Sequence, residues 1–326
     1  MRHPLSVAIS PHDHTRDLVT GHVQAEGLDL TVIQLSIEEI LQRFGHLREW
    51  DVSEFSLAQY VALRSRDDES VVALPVFLSR VFRHGAVFVR PGEFGSPAQL
   101  AGRRVGIAEW SQTAGVWTRG ILATEYGLDL TSVTWVQAGV NQPGRDEAVP
   151  FKPPSEFRLE RRPDATLDAL LRAGDIDAII SARAPRSFQQ GDSVRLIGDH
   201  VAAERDWYRR TGVFPIMHVL VLRGETYRAV RWSASRLVQA FTEAARLSVE
   251  RLLDGTASHV PLPWAREQLL ELAGPAAAAE WWPYGVEPNR PTLQMFLDFA
   301  HTQGVAARPL SPEELFAPET TFRARV

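Results

Sequence analysis

Short apolar runs alternate with amphipathic stretches along residues 1–90, and this rhythm narrows the fold further than any other feature of the chain. "LSVAIS" at 5–10 and "LDLTVIQL" at 28–35 read as strands, the second alternating Leu28, Leu30 and Val32. "SIEEILQRFGHLREW" reads as a helix with Ser36 at its N-cap and Glu39 three positions on, where each side chain can satisfy a free amide of the first turn. "DVSEFSL" and "VVALPVF" read as strands flanking the helical "AQYVALRSR". Strands joined by helices in this way pair in parallel through crossovers, which makes an α/β domain.

The same rhythm restarts after "RPGEFGSP". "GRRVGIA" is a strand, "SQTAGVWTRGILATEYG" a helix closing at Gly127, and "VTWVQA" a strand. The stretch 141–164, rich in proline and charge, reads as irregular and exposed. "TLDALLRAGDIDAIISAR" gives helix, turn and strand, "IMHVLVLRGETY" a returning strand, and the chain ends mostly in helices. A length of 326 residues suits two lobes rather than one core. The predicted architecture is α/β and two-lobed, each lobe a mixed, mainly parallel sheet flanked by helices. Residues 1–87 and 217–326 form lobe I, with the C-terminal helices, and 88–216 an inserted lobe II. Ligands of open α/β sheets sit beyond the carboxyl ends of strands, so the cleft between the lobes is the expected site.

Composition excludes several function classes. A net charge of −5 argues against a nucleic-acid partner. Zero cysteines rule out disulfides and thiolate metal sites. No apolar run approaches the ~20 residues of a membrane span, and the N-terminus lacks the apolar core of a secretory signal, so a cytoplasmic location away from membranes is expected. A homo-oligomer is left open.

Candidate site residues fall where predicted strands end. "LPVFLSRVFRH" sets Arg80, Arg83 and His84 into an apolar run, where unpaired charge is costly to bury. If this segment stays extended, Arg80, Phe82 and His84 share one face, a wall suited to an aromatic anion. "ISPHDHT" puts His12 and His14 after the first strand. A His-x-His after a first strand also occurs in the metal sites of metal-dependent hydrolases and decarboxylases, but those barrels need eight strand–helix units and later His and Asp ligands, which the helix-rich C-terminal third does not fit. His12 and His14 are taken as substrate-binding groups with no metal expected, and a divalent ion near them is left open. Ser111 and Thr113 stand where a helix begins after a strand, a place suited to an anion. Arg183 follows a buried strand, and His218 lies within "IMHVLVL". Trp281, Trp282 and Tyr284 read as packing groups, and Asn289 as a helix cap. Cations and hydroxyls with few acids describe a pocket for a multiply anionic small molecule.

The phrases "PVFLSRVFRH", "RRTGVFPIMH", "WPYGVEPNRPTL", "EELFAPET", "IISARAP" and "VWTRGILATEYG" resemble those of the 4,5-dihydroxyphthalate decarboxylase family, in the family's order and across essentially the whole chain. Where members often carry a Tyr-Asp-Arg-Thr-like run, this chain has His12, Asp13, His14 and Thr15. The resemblance implies the two-lobed fold of type 2 periplasmic solute-binding proteins. It also implies a carboxy-lyase that turns 4,5-dihydroxyphthalate into protocatechuate.

Such a reaction needs no cofactor if the ring carbon is protonated before CO₂ leaves, driven by a para hydroxyl. It requires a general acid at the carbon and an acceptor at the hydroxyl. His84 and His218 are the expected pair, with Arg80, Arg183, Ser111 and Thr113 holding the carboxylates. Two other readings share the clamp. One is a non-catalytic carboxylate-binding protein, and the other a cytoplasmic lyase for another aromatic acid.

Overall fold

The computed structural model describes residues 2–145, 147 and 153–321. Four strands come first: β1 (His3–Ile9), β2 (Leu28–Gln34), β3 (Val52–Ser56) and β4 (Val71–Arg80). Six follow: β5 (Val87–Val89), β6 (Arg104–Ile107), β7 (Thr134–Gly139), β8 (Arg158–Thr166), β9 (Ala178–Ile180) and β10 (Val194–Arg195). The last is β11 (Ile216–Arg223). They form a five-stranded sheet in the order β2-β1-β3-β11-β4 and a six-stranded sheet in the order β10-β5-β9-β6-β7-β8. The chain leaves the first sheet after Arg80 and re-enters it at Ile216.

Both sheets are mixed. In the first, β1 pairs in parallel with β2 and β3, whereas β11 runs antiparallel between β3 and β4. In the second, β6, β7, β8 and β9 are parallel, and β5 is antiparallel to β9 and β10.

Local sequence explains most elements. Ser36 accepts a hydrogen bond from the Glu39 amide and caps the Ile37–Leu47 helix. Gly127 takes a left-handed φ of 67° and ends the Thr113–Tyr126 helix, a conformation that costs a glycine nothing. β8 departs from the sequence reading, since Arg158–Thr166 is a strand and not irregular. It lies at a sheet edge, where both faces can be wet and Pro163 removes no needed donor, so no apolar alternation marks it. Of the same stretch, 146 and 148–152 lie outside the described residues.

β4 is the opposite kind of edge: buried, apolar and interrupted by Pro75. The C-terminal segment covers it. Trp282 Nε1 donates to the Phe77 carbonyl at 3.0 Å, the Gly285 amide to Pro75 at 2.8 Å, and the Ala317 amide to Ala73 at 3.0 Å. These bonds bring Trp282, Tyr284 and Asn289 to the end of β4, where Arg80 stands. The Arg290–Thr302 helix then packs on Thr113–Tyr126, so the C-terminus spans both sheets.

Candidate active site

The centre of the site is an acid that the sequence reading passed over. Glu54 lies in β3 with no exposed side-chain surface. The β3–β11 register sets Leu220 opposite Glu54 and His218 opposite Ser56, so Glu54 and His218 are diagonal neighbours on one face. His218 Nδ1 lies 2.7 Å from Glu54 Oε1. His12 Nε2 lies 3.1 Å from Oε2 and 3.2 Å from Oε1, and the Ser10 amide donates to Oε2 at 2.8 Å. Burial by itself pushes the Glu54 carboxyl upward, but the bonds from His12 and His218 outweigh it and hold the group well below the usual carboxylate range. Glu54 is therefore a fixed anion between two imidazoles.

His14 completes the array. Its ring stacks on His12 at 5.1 Å and lies 5.0 Å from Trp282. Burial, helped by the neighbouring His12, lowers it from 6.5 to about 3, so it is neutral at pH 7. Its Nε2 is buried without a hydrogen-bond partner among the described residues, as are Ser10 Oγ and Tyr284 OH nearby.

Arg80 resolves the puzzle of a charge inside an apolar run. It is 8% exposed and donates to Asn289 Oδ1 at 2.5 Å, Pro283 O at 3.0 Å and Phe214 O at 3.4 Å. Its guanidinium carbon lies 5.6 Å from the Trp282 ring centroid and 5.3 Å from that of Phe77. Carbonyl oxygens take up its two Nη groups, but Nε is buried without a partner among the described residues, none of the partners is an anion, and burial lowers it to about 10. Asn289 makes no capping bond; its Oδ1 accepts from Arg80 and its amide donates to Pro283 O and Gly285 O. On one side Arg80 meets Trp282 and, through it, His14. On the other it borders a cavity of about 450 Å³.

The remaining expected residues lie apart from this cluster. The strand ends at Arg80, so the alternation that would align Arg80, Phe82 and His84 stops there. His84 begins a single 3₁₀ turn, is 2% exposed, and packs its ring 5.4 Å from Trp207. Burial lowers it to about 4, and the residue sits as a neutral core group beside Trp207. Arg183 is a surface residue, 70% exposed, paired with Glu38. Ser111 donates to Glu147 Oε2 at 2.5 Å, and the amides of Trp110 and Ser111 also donate to that carboxylate. The chain's own acid thus occupies the place expected for a substrate anion. Thr113 lies 2.8 Å from Ser56 Oγ and accepts from the Ala58 amide at 3.0 Å, joining the two sheets.

One sequence signal pointed to Glu54: it is the acid inside an otherwise uncharged strand, "VSEFS", two residues before a strand end. Trp282 and Tyr284 gave none, because only the folding of the C-terminal segment over β4 brings them here. Among the described residues, no group of three or more His, Asp or Glu side chains is arranged to hold a metal ion. Among the same residues, no helix is long and apolar enough to cross a membrane. A buried carboxylate orienting two imidazoles beside an uncompensated cation is equipped to move protons on an anionic ligand.

No protein-family model matches the chain. Over its whole length the fold is similar to that of the periplasmic aliphatic sulphonate binding protein of Escherichia coli, with a TM-score of 0.53, 11% identity and coverage of 99% of this chain and 100% of that one. In sequence, the chain is 37% identical over 209 residues to a 4,5-dihydroxyphthalate decarboxylase of Pseudomonas putida, covering 63% of this chain and 81% of that protein. It is 36% identical over 318 residues to a 4,5-dihydroxyphthalate decarboxylase of Comamonas testosteroni, covering 96% of each. The chain belongs to the 4,5-dihydroxyphthalate decarboxylase family.

Proposed function

We propose that the protein decarboxylates 4,5-dihydroxyphthalate to protocatechuate without a cofactor, with the Glu54-centred histidines as its acid–base machinery. The observation that carries this reading is the ionised, fully buried Glu54 binding His218 and His12 on β3, the central strand of the first sheet, with Arg80 beyond Trp282. Direct loss of CO₂ from the ring would leave an aryl carbanion in the ring plane. Protonating the carbon first avoids it.

In this mechanism His12 takes the proton of the hydroxyl para to the departing carboxylate. The oxygen's electrons move into the ring as His218 Nε2 delivers a proton to the carbon that bears the carboxylate. The bond to the carboxylate then breaks, its electron pair restores aromaticity, CO₂ leaves, and His12 returns its proton to the oxygen. Solvent reprotonates His218. Glu54 selects the ring orientation by accepting from His218 Nδ1, and stabilises the imidazolium that the step requires. His14, neutral and unpartnered at Nε2, supplies a hydrogen bond to the second hydroxyl.

General acid catalysis supplies about 10²–10⁴ in rate, so positioning and electrostatics must supply the rest. Arg80 contributes positive potential through Trp282 and Phe214 rather than a direct clamp. A cation bound tightly to the departing carboxylate would stabilise the ground state and slow the reaction. The lobes of this reading are residues 1–87 with 217–326, and 88–216, and the protein works in the cytoplasm, which cell fractionation tests.

The decisive experiment incubates purified protein with 4,5-dihydroxyphthalate and follows CO₂ and protocatechuate together. Stoichiometric release of both is expected. Tight binding with no product would favour a carboxylate-binding protein instead.

A further inference from the structure

The cavity beside Arg80 carries charge that the mechanism leaves unused. It measures about 450 Å³ and is lined by Arg83, Arg195, His200 and Glu204 as well as Arg80. Arg83 donates its Nε to Met217 Sδ at 3.2 Å. Met217 and His218 are consecutive in β11, so their side chains leave opposite faces of the sheet. The Arg83 end of the cavity is thus on the side of β11 away from His218 and Glu54. Phe82 and Phe214 also line it, but their rings stack on each other at 4.8 Å and 15°, which leaves no slot between them for an arene.

Its cations outnumber its acids. The thioether that Arg83 meets is a weak acceptor, and burial lowers Arg83 to about 10. Arg195 donates to the Gly85 carbonyl and lies over the rings of Phe88 and Phe188, at 5.5 and 5.1 Å. Among the described residues no ion pair joins Arg83 or Arg195 to a carboxylate. Glu204 is the acid that faces Arg83, Arg195 and His200. One of its oxygens accepts the Gly85 amide at 3.4 Å, and burial raises its carboxyl above the ordinary value, so it is a weak counter-ion for two guanidinium groups. His200 Nδ1 is buried without a partner.

The cationic groups come from three parts of the chain. Arg83 belongs to the crossover that leaves the first sheet, Arg195 to β10 at the edge of the second, and His200 to the first turn of the His200–Thr211 helix, whose positive end adds to the field. Gly85 lets them converge: a Cβ there would lie 2.5 Å from Arg195 Nη1 and 2.6 Å from His200 Cδ2. Half-buried guanidinium groups without counter-ions are costly, and an anion that brings the missing charge offsets that cost. A planar carboxylate engages one guanidinium fork. Donors arriving from separate directions suit an ion whose oxygens point several ways.

We propose that this cavity is a second anion site, separate from the catalytic cluster, which takes a compact, multiply charged inorganic oxyanion of the phosphate or sulfate type between Arg83 and Arg195, beside His200. The bound ion ties the crossover after β4 to the edge of the second sheet. The site goes beyond the decarboxylation reading and does not depend on it.

The test titrates inorganic phosphate calorimetrically at an ionic strength held constant with chloride. The parent should bind one phosphate per chain, and its thermal midpoint should rise with phosphate concentration. Arg83→Met and Arg195→Met should each weaken phosphate by about tenfold or more. Glu204→Gln removes the opposing charge and should tighten it severalfold, a gain that a misfolded variant cannot give. His218→Asn should bind phosphate within about threefold of the parent, and the parent saturated with phthalate, which has no hydroxyl to drive the reaction, should still take up phosphate. No saturable binding, an affinity unchanged in both arginine variants, or no gain in Glu204→Gln would overturn the site. Loss of phosphate binding in His218→Asn would move the anion to the catalytic cluster and overturn it equally. A protein that forms no protocatechuate but binds phosphate through Arg83 keeps this site and loses the reaction; one that turns over and binds no phosphate keeps the reaction and loses this site.

Discussion

Glu54 binds His218 through a 2.7 Å hydrogen bond on the diagonal of the antiparallel β3–β11 pair, and the same carboxylate takes His12 at 3.1 Å. Two imidazoles on one fixed anion cannot rotate independently. Whatever bound ligand they meet encounters both at a set spacing. This is the preorganisation that proton transfer needs, since side chains that reorient during the step add to its barrier.

His218→Asn removes the proton donor and keeps a group able to bond Glu54. It should lower kcat by about 10²–10⁴ while phthalate affinity stays within about threefold. Single-turnover kinetics with calorimetry separates the two. Turnover near the parent rate would remove His218 from the chemistry.

Glu54→Gln keeps the shape and discards the charge. The amide no longer supports an imidazolium at either histidine, so kcat should fall by at least about tenfold with KM little changed. A loss confined to KM would mean that Glu54 holds substrate and does not support the acid.

Acid should destabilise the fold early. Burial lowers His14 to about 3 and His84 to about 4, from an ordinary 6.5. Between those values the unfolded chain binds protons that the folded chain refuses, so stability rises with pH through the window and is lost as pH falls through it. Glu54, also held low, adds to the same trend only below the ordinary carboxylate range. The urea midpoint should therefore drop between pH 7 and pH 4.5, and drop less in His84→Leu. Parallel pH profiles for the two proteins would contradict this account of His84.

Thr113→Val leaves the Ala58 amide buried without its acceptor and breaks the 2.8 Å bond to Ser56. A cost of about 1–3 kcal/mol is expected, with Thr113→Ser restoring most of it. Equilibrium denaturation of the two variants checks it. Equal losses in both would point to packing by the methyl group instead.

Arg183→Ala removes an exposed ion pair with Glu38, and such pairs contribute about 0–1 kcal/mol. Stability should change by no more than that, and kcat/KM by less than about threefold. A large loss in kcat/KM would return Arg183 to the substrate site.

Much of the fold was legible in the chain. Ser36 with Glu39, Gly127 after an apolar helix, and the alternation of Leu28, Leu30 and Val32 each act within a few positions, so their outcome is visible locally. β8 was not legible, because an edge strand with two wet faces carries no apolar signature. The site was legible in part. His12, His14, His218 and Arg80 end in one cluster, whereas His84, Arg183, Ser111 and Thr113 are placed elsewhere by where a strand stops and which partner arrives first.

The sequence by itself determined the α/β class, most element boundaries and the family, because these depend on periodicity, caps and long matching phrases. Only the tertiary structure decided which side chains meet. Glu54 and His218 stand 164 positions apart and touch because β11 returns antiparallel between β3 and β4. Arg80 stays charged in a core because a segment two hundred positions downstream folds over the β4 edge and lends it Pro283 and Asn289. Such contacts come from sheet register and edge coverage, which no local stretch of residues encodes.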